Sequence, residues 1–278
     1  MLSGAATSVH LMSFADGPET ELPAGDVTVG VVRIGDTVRR PRQDSSERVA
    51  AYLRHLEDVG FDGAPRYLGV DAKGRDVLTF LPGDVPGAPV EAWAATAGVL
   101  PGVARLVRRL HEASVGFELA PRAAVAGRPQ PLFPPDEPRL VAQRDVTPQN
   151  TVFRDGAACG LIDFDLSDWT TRSVDLANTA MHWVPMCDPV DRAPAYAGID
   201  VAARLRLLLD GYGRDAVSAE QFLAAAELRF AGSYDIMRWS AEHLGGGWAR
   251  MWDEGVGEVI KRRLAWFRAV RADVAAAL

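Results

Sequence analysis

An α+β fold, β-rich at its start and mostly helical afterwards, is predicted by three features of the sequence. Two hairpin-like patterns fill Val27 to Leu81, the dipeptide Pro82-Gly83 breaks that pattern, and from about Leu176 onward apolar residues recur at helical spacing. With 278 residues and 48% hydrophobic content, the chain can fill a sizeable core as one large domain or two lobes.

The first hairpin spans Val27 to Arg40. Its β-branched runs Val-Thr-Val-Gly-Val-Val-Arg-Ile and Thr-Val-Arg-Arg flank the turn Gly35-Asp36, and Pro41 ends it. The period then changes. Val49, Tyr52, Leu53, Leu56 and Val59 share one face of a helix capped by Asp44 or Ser45 and stopped at Gly60. Two further strand-like runs, Ala64–Asp71 and Arg75–Leu81, surround a Lys73-Gly74 turn, and a lobe boundary is placed at Pro82-Gly83. Beyond it, Val103, Leu106, Val107 and Leu110 mark a helix leading to His111. Pro121 to Pro138 is a proline-rich connection, and Val201–Leu209, Phe222–Ile236 and Val256–Val270 carry helical apolar faces.

Composition excludes several classes. A net charge of −7 argues against a general nucleic-acid binder and suits a cationic small substrate, although an acidic surface is also an ordinary route to solubility. No run of about 18 apolar residues is present to span a membrane, and Met1 to Pro18 lacks a basic leader or a sustained apolar stretch, so a cytoplasmic location is expected. Cys159 and Cys187 show no paired spacing with histidine that would make a zinc site and read as structural thiols. The sequence carries no sign of its oligomeric state.

The chemistry is concentrated in Gln143-Arg144-Asp145-Val146-Thr147-Pro148-Gln149-Asn150, followed by a short strand and Ile162-Asp163-Phe164-Asp165. Phosphoryl transfer needs a carboxylate near the acceptor hydroxyl, plus an amide oxygen and a second carboxylate to hold divalent ions on the nucleotide phosphates. Asp145, Asn150 and Asp163 supply that set in that order. Standing alone, the spacing would also fit a loop cap, a turn and a strand-end acid.

Taken with the β-rich start, the break at Leu81-Pro82-Gly83, the helix ending in Leu110-His111 and the segment Asp175-Leu176-Ala177, the motif resembles the aminoglycoside phosphotransferase and choline kinase superfamily. Gly30 to Pro41 and Val152 to Asp165 are similar to its trifolitoxin-immunity-like actinobacterial branch. The resemblance covers roughly Val27 to Val184. It implies a two-lobed, protein-kinase-like fold, with a nucleotide-binding lobe at residues 1–82 and a catalytic and acceptor lobe at 83–278. It also implies Mg2+ and ATP or GTP as phosphoryl donor, Asp145 as catalytic residue, and Asn150 and Asp163 as metal ligands. Asp165 stands as a third acid, and Asp175 as an acid that steadies the catalytic loop.

The sequence departs from the family pattern in three places. Gln143 stands where the loop normally begins with His, and its amide can likewise hydrogen-bond to backbone groups. The only lysines are Lys73 and Lys261, so an arginine must take over the phosphate contact normally made by lysine. Strand alternation puts Arg40 on the face of Val38, making it the first choice and Arg39 the second, while paired arginines ending at Pro41 also fit a solvated edge. Val49 occupies the position of the usual helix glutamate, and Glu47 points about 200° away from it. The nucleotide base is expected at the backbone of Thr79 to Leu81.

His111 is expected to pack between helix and loop. Trp169, Trp183, Trp239 and Tyr234 read mainly as core, with one or two available to line an acceptor cleft. Asp235, Glu242 and Asp253 fit either a cationic-acceptor pocket or solvated helix faces. The expected activity is transfer of a phosphoryl group to a hydroxyl of a small molecule, in antibiotic inactivation or self-resistance. The alternatives are a metabolic or biosynthetic kinase acting on a sugar, a nucleoside-like product or a peptide Ser/Thr, and a catalytically weak immunity or binding protein. Gln143, the missing lysine and Val49 favour the last, and the retained Asp145, Asn150 and Asp163 oppose it.

Overall fold

The structure is a computed structural model that describes residues 14, 17–22, 30–122 and 125–278. Val27 to Val29, the expected start of the first hairpin, lie outside the described residues. The hairpin itself is formed by β2 (Val32–Ile34) and β3 (Thr37–Arg40) around Gly35-Asp36. With β1 (Thr20–Glu21), β4 (Tyr67–Val70) and β5 (Asp76–Thr79) they build an antiparallel sheet in the order β1-β2-β3-β5-β4.

Helix α1 (Ser46–Asp58) follows β3 and buries Val49, Tyr52, Leu53 and Leu56, as its apolar spacing requires. The expected face ran one step too far. Val59 lies beyond the last helical turn and is 52% exposed, and Gly60 leaves the helical path at φ +78°. The Ser45 side chain makes no capping bond. Instead the Ser46 hydroxyl accepts from the Gln43 N–H at 3.0 Å and donates to the Asp76 carboxylate, pinning the helix start to β5.

After Pro82-Gly83 the chain passes close to a later strand, β7 (Thr151–Arg154). The Asp84 and Phe153 backbones exchange two 2.8 Å hydrogen bonds. Gly83 has φ +153°, and a Cβ there would meet the Phe153 carbonyl oxygen at 2.4 Å, so the crossing requires glycine. Helix α2 (Leu100–Ala113) then packs its Val103, Leu106, Val107 and Leu110 face into the core. The described part of residues 121–138 contains no helix or strand.

Strand β6 (Arg139–Ala142) pairs antiparallel with β9 (Asp168–Thr171). Between them lie the loop 143–150 and a hairpin of β7 and β8 (Ala157–Leu161). The sequence reading had one short strand here. The missed signal is Asp155-Gly156, whose φ angles of 51° and 76° are those of a tight two-residue hairpin turn.

The remainder is helical: α3 (Arg172–Trp183), α4 (Val201–Tyr212), α5 (Ala219–Leu244), α6 (Gly246–Asp253) and α7 (Val256–Ala277). α3 thus starts slightly earlier than expected, and the short α6 was not foreseen. No helix among the described residues is long and apolar enough to cross a membrane.

One buried cluster joins α1, α2 and the later helices. Tyr52 sits at its centre, with its hydroxyl 2.6 Å from that of Ser114 and donating to the Val141 carbonyl at 3.1 Å. Its ring meets Phe164 edge-on at 5.8 Å, and Phe164 is 2% exposed, which fixes the backbone between Asp163 and Asp165. Phe164→Ala is expected to lower stability by about 3–5 kcal/mol in urea unfolding. A loss below about 1 kcal/mol would mean that the ring does not anchor this turn.

Candidate functional site

The β7–β8 register builds the site. Thr151 pairs with Leu161, so the residues just outside that rung, Asn150 and Ile162, are brought side by side, and the Ile162 N–H donates to the Asn150 carbonyl at 2.9 Å. Asp163 follows immediately. The Asn150 amide nitrogen donates to both the backbone carbonyl and Oδ2 of Asp145, at 3.0 and 2.8 Å. The three polar residues singled out by spacing are therefore brought together. Arg144 and Asp163 have φ of 66° and 56°, a region that non-glycine residues rarely occupy and that tends to cluster at functional sites.

Gln143 provides the anchor. Fully buried, it donates through Nε2 to the carbonyls of Ile162 and Asp163 at 2.9 and 2.8 Å, and its Oε1 accepts from the Asp145 N–H at 2.7 Å. Both ends of the site are held by one side chain.

Strand β3 lies third in the five-stranded sheet, and Arg39 and Arg40 are only 2% and 7% exposed, so the solvated-edge alternative does not hold. The two side chains take opposite faces. Arg40 pairs with Asp165 in the metal-type turn, and its Nε lies 3.6 Å from the fully buried Asp76. Arg39 instead faces Asp71 at 3.6 Å and borders a cavity of about 360 Å³ lined by Phe14, Ile34 and Thr37, among others; Asp145, Asn150 and Asp163 take no part in it.

Asp76 is the buried acid beside Arg40 that the sequence does not single out. It sits directly across from Arg40 in the β3–β5 ladder and also accepts from Ser46 and, at 3.2 Å, from Tyr67. Val49 packs in the core, whereas Glu47 is exposed and pairs with Arg42. The acid beside the β3 cation thus comes from the neighbouring strand. Its signal was an aspartate inside an otherwise apolar strand.

Desolvation in the cleft, reinforced by the Asp165 carboxylate, pushes the Asp163 carboxyl above the ordinary aspartate range, with the Asp165 N–H and Arg40 acting in the opposite direction. Among the described residues no group of three or more His, Cys, Asp or Glu forms a self-sufficient metal cage. An ion held by Asn150 and Asp163 would need a further ligand that brings its own oxygens.

Helix α3 supports the loop differently from expectation. Asp175 is bonded to His111 Nε2 at 3.0 Å, and His111 Nδ1 lies 2.8 Å from the Tyr212 hydroxyl, so this buried histidine is a packing bridge between helices. The α3 residue that reaches the loop is Asn178, which donates to the Arg144 carbonyl at 2.8 Å and accepts from Arg229 Nε at 3.0 Å.

At the expected base-binding segment, the Thr79 N–H is used by the Arg66 carbonyl and the Phe80 N–H by that of Asp36. The Thr79 hydroxyl accepts from the Arg66 N–H at 2.8 Å. The Leu81 backbone has no hydrogen-bond partner among the described residues. Trp183 is core, fully buried, and Trp239 stacks on His243 at 4.5 Å. Asp235, Glu242 and Asp253 are all exposed, and the first two flank Arg238, which makes them a solvated helix face.

Residues 116–208, which contain Asp145, Asn150 and Asp163, match the phosphotransferase enzyme family. The chain is 31% identical over 189 residues to the trifolitoxin immunity protein of Rhizobium leguminosarum bv. trifolii, an alignment covering 66% of this chain and 70% of that protein. Its fold is similar to that of a choline/ethanolamine kinase family protein from Mesorhizobium loti, at a TM-score of 0.57 and 18% identity over 94% of this chain and 92% of that one. It is similar also to an amicoumacin kinase in complex with AMP-PNP, Ca2+ and Ami, at a TM-score of 0.53 and 12% identity over 96% and 90% of the two chains.

Gln143→Ala would leave two buried carbonyls and one N–H without their partner. A stability loss of about 2–4 kcal/mol is expected in denaturant unfolding, from a few lost bonds at about 1 kcal/mol each plus the cost of stranded polar groups. Gln143→Glu, which keeps the shape but loses the donors, should be equally costly; wild-type stability in both variants would dismiss the anchor.

Proposed function

The chain belongs to the phosphotransferase enzyme family, and we propose that it transfers the γ-phosphoryl group of ATP to a hydroxyl of a small molecule, with Mg2+ as the divalent ion, in an immunity or self-resistance role. The observation that carries this reading is the convergence of Asp145, Asn150 and Asp163 through the β7–β8 register and the Gln143 anchor. Of the donors ATP and GTP, the comparisons support ATP, because the amicoumacin kinase is complexed with AMP-PNP. The immunity protein supports the biological role. A cytoplasmic location and the division into lobes at 1–82 and 83–278 belong to the same proposal.

In this mechanism Asp145 orients the acceptor hydroxyl and takes its proton. The hydroxyl oxygen forms a bond to the γ-phosphorus as the bond to the β-phosphate bridging oxygen breaks, and ADP leaves. The Asn150 amide holds the Asp145 carboxylate in place through Oδ2. Asn150, through its remaining amide oxygen, and Asp163, crowded by Asp165, would hold Mg2+, which when bound would neutralise phosphate charge. Arg40 offers a guanidinium to the phosphates from the sheet side, and Leu81 offers the base a backbone N–H that has no partner among the described residues. A binding protein without turnover is favoured by one observation, that Arg40 is already engaged by two carboxylates.

Two variants test the proposal. Asp145→Asn is expected to lower product formation by about 10²–10⁴-fold with nucleotide binding retained. Asp163→Ala is expected to abolish Mg2+-dependent AMP-PNP binding in calorimetry. Undiminished turnover in the first, or unchanged nucleotide affinity in the second, would remove that residue from its role.

A further inference from the structure

Behind the loop that carries Asp145, the later helices contribute arginines, of which Arg229 is tied to the loop. Arg229 on α5 reaches the catalytic loop through Asn178, which bonds both its Nε and the Arg144 carbonyl. Its other contact is the Ser233 hydroxyl, and it has no carboxylate within 4.0 Å among the described residues. Arg263 on α7 feels Cys187 and Asp191 at longer range but has no carboxylate within 4.0 Å among the described residues, and its Nε is buried without a hydrogen-bond partner among them. Arg144 reaches only Asp168, at 4.0 Å, a carboxylate already taken by Arg122 at 2.7 Å and Arg48 at 3.0 Å. Arg144, Arg229 and Arg263 are all half-buried.

Unbalanced guanidinium groups in such a place repel one another and are costly to desolvate. Burial, then Arg144 and Arg263, bring the Arg229 guanidinium down to about 10 against the pull of Asp145 and Asp175, so it stays charged at neutral pH. Burial, then Arg263 and Arg229, bring the intervening His182 down to about 3, which keeps that imidazole neutral. The acids that would recognise a cation, Asp235 and Glu242 on α5 and Asp253 on α6, are solvent-exposed, and the first two flank Arg238.

We propose that the acceptor is a hydroxyl compound bearing an oxyanion, carboxylate or phosphate, and that Arg229 and Arg263, with Arg144 beside the reacting hydroxyl, bind that group. This deepens the kinase reading and rests on it for the word acceptor. The net charge of −7 is a property of the whole chain and does not exclude an anionic ligand at these cations. Guanidinium matches both oxyanions bidentately, so the arginines define charge and geometry, while the choice between the two oxyanions falls to the rest of the cleft.

Calorimetry without nucleotide reads this directly, using glycerate and glycerol 3-phosphate as anionic probes and choline and kanamycin as cationic ones. One or both anions should bind the wild-type chain and the cations should not; the anion that binds identifies the oxyanion class. Arg229→Gln should weaken that binding about tenfold or more. Arg263→Gln, whose side chain makes no hydrogen bond to lose, should do the same and guards against misfolding of the first variant. Binding of a cation in preference to both anions, absence of anion binding, or anion affinity unchanged in both variants would overturn the proposal. AMP-PNP titration with Mg2+ is scored separately: anion binding without nucleotide binding removes the kinase reading alone, and nucleotide binding without anion binding removes this one alone.

Discussion

The site depends on one buried amide. Gln143 ends the β6 approach and touches the Asp145 N–H and the carbonyls of Ile162 and Asp163, so Asp145 and Asp163 are spaced by a single side chain. A glutamine amide can donate twice and accept at once, whereas a neutral imidazole offers one donor and one acceptor. The departure from histidine therefore adds a contact. In a fully buried position each of those groups would be expensive to strand, which makes the bridge a constraint on the whole segment from 143 to 165.

A second link joins the sheet to that segment. Arg40 lies between Asp76 on the adjacent strand and Asp165 in the turn, and the β3–β5 register leaves Asp76 no other place to be. Asp76 is in turn held by Ser46 at the start of α1 and by Tyr67 on β4. The helix consequently spends its Val49 position on packing and contributes a hydroxyl in place of an acid. Replacing lysine by arginine and helix glutamate by strand aspartate are two parts of one rearrangement, since the longer, forked guanidinium reaches two carboxylates at once.

Much of this was legible because periodicity reports burial. The β2–β3 turn, the α1 and α2 faces and the spacing of Asp145, Asn150 and Asp163 follow from local patterns that the structure satisfies with short-range geometry. The opposite orientations of Arg39 and Arg40 followed from strand alternation alone. What escaped notice depended on partners distant in sequence. Asp76 acquires its meaning only when β5 aligns with β3, Asn178 only when α3 lies against the loop, and Arg229 and Arg263 only when α5 and α7 pack together. The Asp155-Gly156 turn, by contrast, is a local signal carried by two adjacent residues. Val59 was miscounted because the apolar pattern outlasts the helix by one residue.

The account stands or falls on where the γ-phosphoryl group goes. The direct measurement is to incubate the protein with Mg2+ and γ-³²P-labelled ATP and a library of hydroxyl compounds of both charge signs, and to separate labelled organic product from inorganic phosphate and unreacted nucleotide. Label in an organic phosphate ester, dependent on both the chain and the added compound, is the predicted result. Nucleotide that binds and stays intact across the library, or label released only as inorganic phosphate, would contradict it.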